Sequence, residues 1–242
     1  MKIIDRIHAF FKSYLYNPKW KCNWCGKEIF NEAYFCEDCK NKLPYNDKAI
    51  CDHCGRKLTV GSDYCSTCKG RLTSLDKCRS AFYYDKPIST LIKNAKYENK
   101  RYILEYFAEY LSLIYFKNYF NADVIVYVPM TERSEFKRGY NQSKILAEKL
   151  SELINVPMVD VIVKKEETKR QAKLNRLERM KNLEDVFKVT NKKLIRGKRV
   201  LIVDDVTTTG ATAENIAIKL KKADADAVYL LTVASVSSQE KY

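Results

Sequence analysis

Two neighbouring carboxylates, Asp204 and Asp205, stand between four apolar β-formers (Val200, Leu201, Ile202, Val203) and a hydroxyl-rich turn (Thr207, Thr208, Thr209) closed by Gly210. These types in this order suit a definite chemistry. The apolar run reads as a strand buried on both faces, as in a parallel sheet. A strand, a short turn and a helix present backbone N–H groups and a helix N-terminus to an anion. Ligands of open α/β sheets sit at the carboxyl ends of the strands, which is where this turn falls. A phosphate site tolerates two adjacent acids only if its ligand also brings hydroxyls that donate to carboxylates, or a divalent metal. A sugar phosphate with free vicinal hydroxyls meets both demands. The acid site of a Mg²⁺-dependent phosphatase needs a second acid two residues after its nucleophile, whereas Val206 and Thr207 follow Asp205. A Walker-type loop is excluded, because no Gly-x4-Gly-Lys-Ser/Thr occurs.

The cysteines supply a second chemistry. Cys22, Cys25, Cys36 and Cys39 recur as Cys51, Cys54, Cys65 and Cys68, each displaced by 29 positions. Gly26 recurs as Gly55, Phe35 as Tyr64 and Leu43 as Leu72. A two-residue gap lets both thiolates of a pair reach one tetrahedral ion, and the glycine after the second Cys permits the tight turn. Two four-cysteine zinc sites are expected, with pairing within or across repeats left open. Disulfides are the alternative, which a cytosolic chain disfavours. A redox pair would not recur four times in tandem. The module has little apolar content, so metal must supply most of its folding free energy. Trp20, Trp24, Phe35 and Tyr64 are interleaved with Lys and Arg. The rings either stack on the bases of a single-stranded nucleic acid or cover the zinc knuckles. His53 is expected at the surface, and the ninth cysteine, Cys78, as a small buried hydrophobe.

The elements that must position these groups follow from periodicity. Residues 124–128 form another buried strand ended by Pro129, and the basic loop after it carries Arg133, Lys137 and Arg138. If the two strands are parallel neighbours, these cations reach the acid pair, a position that suits a pyrophosphate. Gly139 marks a special turn before Asn141 and Gln142. Helices are predicted over 2–16, 88–97, 102–119 and 144–154, with Thr212 capping one after the hydroxyl turn. Residues 80–84, 187–189 and 227–236 read as strands. The amphipathic 2–16 helix is expected to dock on the protein's own surface rather than on a membrane.

The net charge of +14 favours anionic partners. Much of it lies in residues 164–199, with fourteen Lys/Arg against five Asp/Glu. No apolar run approaches a membrane span, and the N-terminus does not read as a signal peptide. A cytoplasmic protein without an integral membrane segment is expected, in three parts: residues 1–18, an N-terminal amphipathic helix; 19–76, a tandem four-cysteine zinc module; and 77–242, the α/β domain.

The acid pair and hydroxyl turn resemble the signature of the type I phosphoribosyltransferases. Val128-Pro129, then Arg138-Gly139-Tyr140-Asn141-Gln142, then the run Gln171, Leu174, Arg179, Asn182 and Phe187 narrow the resemblance to the ComF group of competence proteins. That group joins a zinc region to a phosphoribosyltransferase domain, and the likeness runs from about Cys22 to Ser235. The resemblance implies a parallel sheet flanked by helices, preceded by a small zinc-ribbon domain. It implies Asp204 and Asp205 as the catalytic acids at the ribose hydroxyls of phosphoribosyl pyrophosphate (PRPP). Val206, Thr207, Thr208, Thr209, Gly210, Ala211 and Thr212 would surround the 5′-phosphate. Pro129, Met130, Arg133, Lys137 and Arg138 would meet the pyrophosphate, and a flexible loop with Lys169, Arg170, Gln171 and Arg179 would close over PRPP. Mg²⁺ would accompany PRPP. The implied partners are PRPP, incoming single-stranded DNA and proteins of the competence machinery. No residue stands out as a dedicated base, and no stretch specifies the acceptor. A non-catalytic, zinc-dependent protein that binds single-stranded nucleic acid and uses the PRPP site for sensing is the alternative.

Overall fold

Residues 124–126 and 200–203 are apolar on both faces, so their strands must lie between two covering layers. The computed structural model describes residues 21–29, 34–47, 50, 51, 53–55, 58, 64, 65, 68, 69, 73–98, 100–165 and 186–236. The predicted 2–16 helix, Trp20, and the loop residues Lys169, Arg170, Gln171 and Arg179 lie outside the described residues. The chain divides into two compact units, Met1–Leu43 and Pro44–Tyr242. The first contains the short helix α1 (Glu37–Lys40) and an antiparallel bridge between Lys21 and Glu28. Among the described residues of this unit, Cys22, Ile29, Tyr34, Phe35, Cys39 and Leu43 are buried.

In the second unit the order is β1 (Lys77–Tyr83), α2 (Ile88–Tyr97), α3 (Tyr102–Lys117), β2 (Val124–Tyr127), α4 (Glu132–Arg138) and α5 (Gln142–Ile154). Then come β3 (Ile162–Lys164), β4 (Phe187–Val189), β5 (Arg199–Thr207), α6 (Ala211–Lys221) and β6 (Ala227–Ser235). Four strands form one sheet in the order β1-β6-β5-β2, every pairing parallel. β3 and β4 pair separately as an antiparallel ribbon.

Because side chains alternate along a strand, each strand feeds both layers. Val124, Val126, Val200, Ile202, Val228 and Leu230 join Ile216, Ala217 and Leu220 of α6 and Phe187 of β4 in one core. The intervening Ile125, Leu201, Val203 and Leu231 are equally buried, and α3 and α5 pack on their strands. Full burial of such a side chain contributes about 1.5–3 kcal/mol, so the four residues 200–203 anchor the sheet centre. At the amino edge the Arg199 guanidinium donates to both Asp123 carboxylate oxygens (2.7 and 3.0 Å), tying β5 to the start of β2. Those hydrogen bonds hold the Asp123 carboxyl down to about 2.

The structure departs from the sequence reading at several points around the site. β5 does not end at Val203; it runs on through both acids, pairing Asp204 with Thr232 and Thr207 with Ser235. Thr212 lies inside α6, whose N-cap is Gly210 in the left-handed conformation (φ 75°) with no side-chain cap. Residues 132–138, expected as a loop, form helix α4, because Thr131 caps it through Ser134 N–H (3.3 Å) and Gly139 closes it with φ 83°.

Candidate functional site

β2 stops at Tyr127, opposite Val203. From Asp204 onward β5 therefore pairs in the sheet only with β6, and the other edge is open to side chains from the helices. Three groups meet the acids. The Ser143 hydroxyl, in the first turn of α5, donates to Asp204 Oδ1 at 2.7 Å. The Asp205 backbone N–H donates to the same oxygen at 2.9 Å. Lys96, near the end of α2, forms an ion pair with Asp205 Oδ2. Burial, and next the charge of Asp205, push the Asp204 carboxyl up to about 7, against the pull of the Ser143 hydroxyl, the Asp205 N–H and Lys96.

The segment 138–143 explains how the helices reach this point. The Tyr140 hydroxyl donates to the Ala95 carbonyl, next to Lys96, and the Arg101 guanidinium lies 4.1 Å from the Tyr140 ring centre. Asn141 caps α5 by accepting from Ser143 N–H (3.0 Å), and its amide donates to the Val128 carbonyl (3.1 Å). Arg138 donates to Gln142 Oε1 at 2.6 Å and lies 5.4 Å from the Tyr97 ring centre. Gln142 is 3 % exposed, and its amide nitrogen has no hydrogen-bond partner among the described residues. A buried donor without a partner is uncommon and costs about 1–3 kcal/mol. Of the predicted pyrophosphate residues, Arg138 is held at this end of the sheet, Pro129 is buried and Met130 half-buried, whereas Arg133 and Lys137 are exposed.

Beyond the acids, an opening at residues 206–213 is lined by Asp204, Thr207, Thr208, Thr209, Gly210 and Thr212 among others. The first amides of a helix have no intrahelical partner; Gly210 has no side chain to cap them, and Ala211 N–H donates to the Thr209 hydroxyl at 3.4 Å. The opening therefore combines N–H donors and the positive end of a helix dipole with carboxylate acceptors.

Both cysteine tetrads assemble within their own repeat: Cys22, Cys25, Cys36 and Cys39 in one, Cys51, Cys54, Cys65 and Cys68 in the other, with all sulfur atoms of a group within 4.8 Å of one another. Cys25 Sγ to Cys36 Sγ is 3.8 Å and Cys54 Sγ to Cys65 Sγ is 3.7 Å. A tetrahedron with Zn–S of about 2.3 Å has edges of about 3.8 Å, so the donor sets fit zinc. The knuckle turns repeat too, Gly26 N–H donating to Cys22 O (2.9 Å) and Gly55 N–H to Cys51 O (2.8 Å). Cys78 is buried in the core, and burial pushes its thiol well above the ordinary range, as suits an inert hydrophobe. His53 is not at the surface as expected: it is half-buried and hydrogen-bonded to Thr73 Oγ1. Phe35 is buried, while Trp24 (39 %) and Tyr64 (49 %) are exposed.

Lys96 and Ser143 escaped the sequence reading. A lysine in the last turn of a helix is favoured there for the helix dipole alone, so Lys96 carried no signal. Ser143 sits beside the Asn-Gln motif, and only the helix start at Gln142 aims it at Asp204.

The comparisons agree with this geometry. The family described as phosphoribosyl transferase domain matches residues 137–241, and the double zinc ribbon domain matches residues 12–69. Among solved structures, the purine phosphoribosyltransferase of Pyrococcus horikoshii is 18% identical with a TM-score of 0.36, covering 58% of this chain and 91% of that one. The DNA utilization protein YhgH of Escherichia coli K12 is 31% identical, over 60% of this chain and 66% of its own length. Competence protein F of Haemophilus influenzae is 30% identical across 83% of this chain and 78% of its own. With a double zinc ribbon, a parallel-sheet phosphoribosyltransferase domain and that extent of likeness, the chain belongs to the ComF family of competence proteins.

Proposed function

We propose that this chain binds PRPP with Mg²⁺ at residues 204–212 and works in the handling of incoming single-stranded DNA during competence, with phosphoribosyl transfer as the reaction its site suits. The observation that carries the reading is the shared opening, with the Asp204 carboxyl at one end and the N-terminus of α6, which starts at a glycine, at the other. Vicinal ribose hydroxyls would donate to Asp204 and Asp205, and the 5′-phosphate would accept from the amides around residues 207–212. Arg138, held beside Gln142, and Lys96, paired with Asp205, are the cations we assign to a departing pyrophosphate. In such a transfer a nitrogen nucleophile displaces pyrophosphate at the anomeric carbon. Positive charge grows on the ribose and negative charge on the leaving group, so holding both ends and stabilising charge is the protein's task. Mg²⁺ would supply charge neutralisation on the pyrophosphate. The Haemophilus relative's name refers to competence and the Escherichia relative's to DNA utilization, which supports the DNA side of the proposal.

The test is calorimetry with PRPP, with and without Mg²⁺, coupled to mass-spectrometric identification of any product. Binding to the native state raises the melting temperature as ligand exceeds its dissociation constant, by about 2.7 kcal/mol of added stability at a hundredfold excess. No heat and no shift with PRPP and Mg²⁺ would remove the ligand from the proposal.

Exposure of Trp24 favours a second role for the zinc ribbon. If the ring stacks on a base, Trp24→Ala weakens single-stranded DNA binding by about 1–3 kcal/mol, in a complex whose affinity falls steeply with salt. Fluorescence titration at two salt concentrations reads both effects, and an unchanged affinity assigns Trp24 to covering the knuckle.

A further inference from the structure

The two cysteine tetrads read as copies in the sequence, yet they have different surroundings. Among the described residues, a Cβ on Gly26 would meet nothing within 4 Å, whereas one on Gly55 would meet the Cys78 carbonyl oxygen at 2.8 Å. Gly55 (φ 67°) therefore lets the second knuckle lie directly on strand β1. Asn46 secures that contact: its amide donates to the Gly55 carbonyl at 2.8 Å, and its backbone N–H to Ala81 O at 2.9 Å. After the last cysteine the chain returns through Thr73, whose hydroxyl meets His53 of the knuckle and Leu75 O (3.0 Å). The next residue, Ser74, donates its backbone N–H to Glu214 Oε1 at 2.7 Å. Glu214 belongs to the first turn of α6, and its own N–H donates to Gly210 O, the residue that closes the hydroxyl turn. One open cleft is lined by Cys54, Cys68 and Thr73 from the knuckle and by Thr207, Thr209 and Glu214 from the turn and its helix.

We propose that Glu214 is a positioning residue that fastens the second metal knuckle to the anion-binding turn, so that metal in the Cys51, Cys54, Cys65 and Cys68 tetrad sets the order of residues 207–213 and, through it, the affinity of the site for its phosphorylated ligand. The affinity part rests on the PRPP reading above; the ordering part does not. Metal fixes the four cysteines, the knuckle fixes Thr73 and Ser74, and Ser74 N–H fixes the carboxylate at the start of α6. Loss of any link leaves the turn held only by its strand and helix. The ordinary alternative is that Glu214 merely complements the helix dipole. It predicts that Glu214→Gln and Glu214→Ala behave alike, since both remove the charge. The positioning role predicts that Gln, which keeps an acceptor for Ser74 N–H, behaves as the wild type.

The test is amide hydrogen exchange by mass spectrometry on the full-length, zinc-loaded protein without ligand, followed by calorimetry with PRPP and Mg²⁺. Glu214→Ala should retain both zinc ions yet raise exchange across residues 207–213, and PRPP affinity should fall about tenfold, as for a lost hydrogen bond to a charged group. Glu214→Gln should restore both. Cys65→Ser should lower the metal content to one and raise exchange over the same residues. Unchanged exchange at 207–213 in Glu214→Ala, or equal behaviour of the Ala and Gln variants, overturns the proposal. If the wild type shows no heat with PRPP, the ligand reading fails by itself, and the exchange results still decide the coupling.

Discussion

Asp204→Asn should do two things of opposite sign: raise the stability of the ligand-free protein at pH 8 and abolish its stabilisation by PRPP with Mg²⁺. The first effect follows from linkage. Burial and the Asp205 charge hold the Asp204 carboxyl at about 7 in the folded chain, against about 3.9 when unfolded. Between those values the native state binds more protons than the unfolded one. Stability contributed by the protonated acid is therefore full below about pH 4, falls as pH rises toward 7, and is gone above that. Asparagine carries no charge at any of these pH values, and its carbonyl can still accept from Ser143. The variant should gain on the order of 1–2 kcal/mol at pH 8, about 2–8 °C in melting temperature. The gain should shrink as pH falls from 7 to 4. The second effect follows because a ribose hydroxyl loses a charged acceptor, and the double variant with Asp205→Asn should likewise show no ligand shift. For the same reason PRPP stabilisation of the wild type should weaken as pH drops through 7. Thermal melts across pH 4–8, with and without ligand, read both signs at once. A destabilised ligand-free variant would make Asp204 a structural residue, and a ligand shift that survives the double substitution would place PRPP elsewhere.

That contrast between stability and use explains what was legible beforehand. Residues 200–203 are apolar enough to specify a central strand, and the parallel neighbours β2 and β6 follow from the same logic. Helical spacing of Ile88, Leu91, Ile92 and Ala95 specifies helix α2 at its observed bounds. The end of β5 was misread because the acids look like a terminus, whereas β6 is long enough to keep pairing with them through Thr207. The cap at Thr212 was misplaced because a left-handed Gly210 can start a helix without a side chain. The surroundings of the acids were illegible for a different reason. Lys96 is far from Asp205 in sequence and meets it only because Tyr140 pins the end of α2. Local pattern has no access to such pairs. The equivalence of the two cysteine repeats misled in the same way, since the spacing specifies a metal but not what the knuckle lies against.

Cys36→Ser should remove one of two zinc ions and unfold the first unit while leaving the second intact. The first unit's described core is Ile29, Tyr34, Phe35 and Leu43 besides its cysteines. Full burial of four such side chains contributes about 6–12 kcal/mol. Ordering some twenty residues costs about 20–40 kcal/mol in backbone entropy alone. Hydrogen bonds and the fourfold ligation must close that gap, and structural zinc contributes about 10–16 kcal/mol in small domains. With three thiolates the ion is held weakly, so the unit cannot stand. The second unit has its own large core and its own tetrad, and sulfur positions place all four ligands of each ion within one repeat. The variant should therefore carry one zinc, be cut faster by trypsin after Lys27 and Lys40, and keep the wild-type melting transition of the second unit. Loss of both ions would show a shared or cross-braced metal pair. Retention of two would mean that Cys36 is not a ligand. A lowered transition in the second unit would show that its stability depends on the ribbon before it, a dependence for which its separate core gives no physical reason.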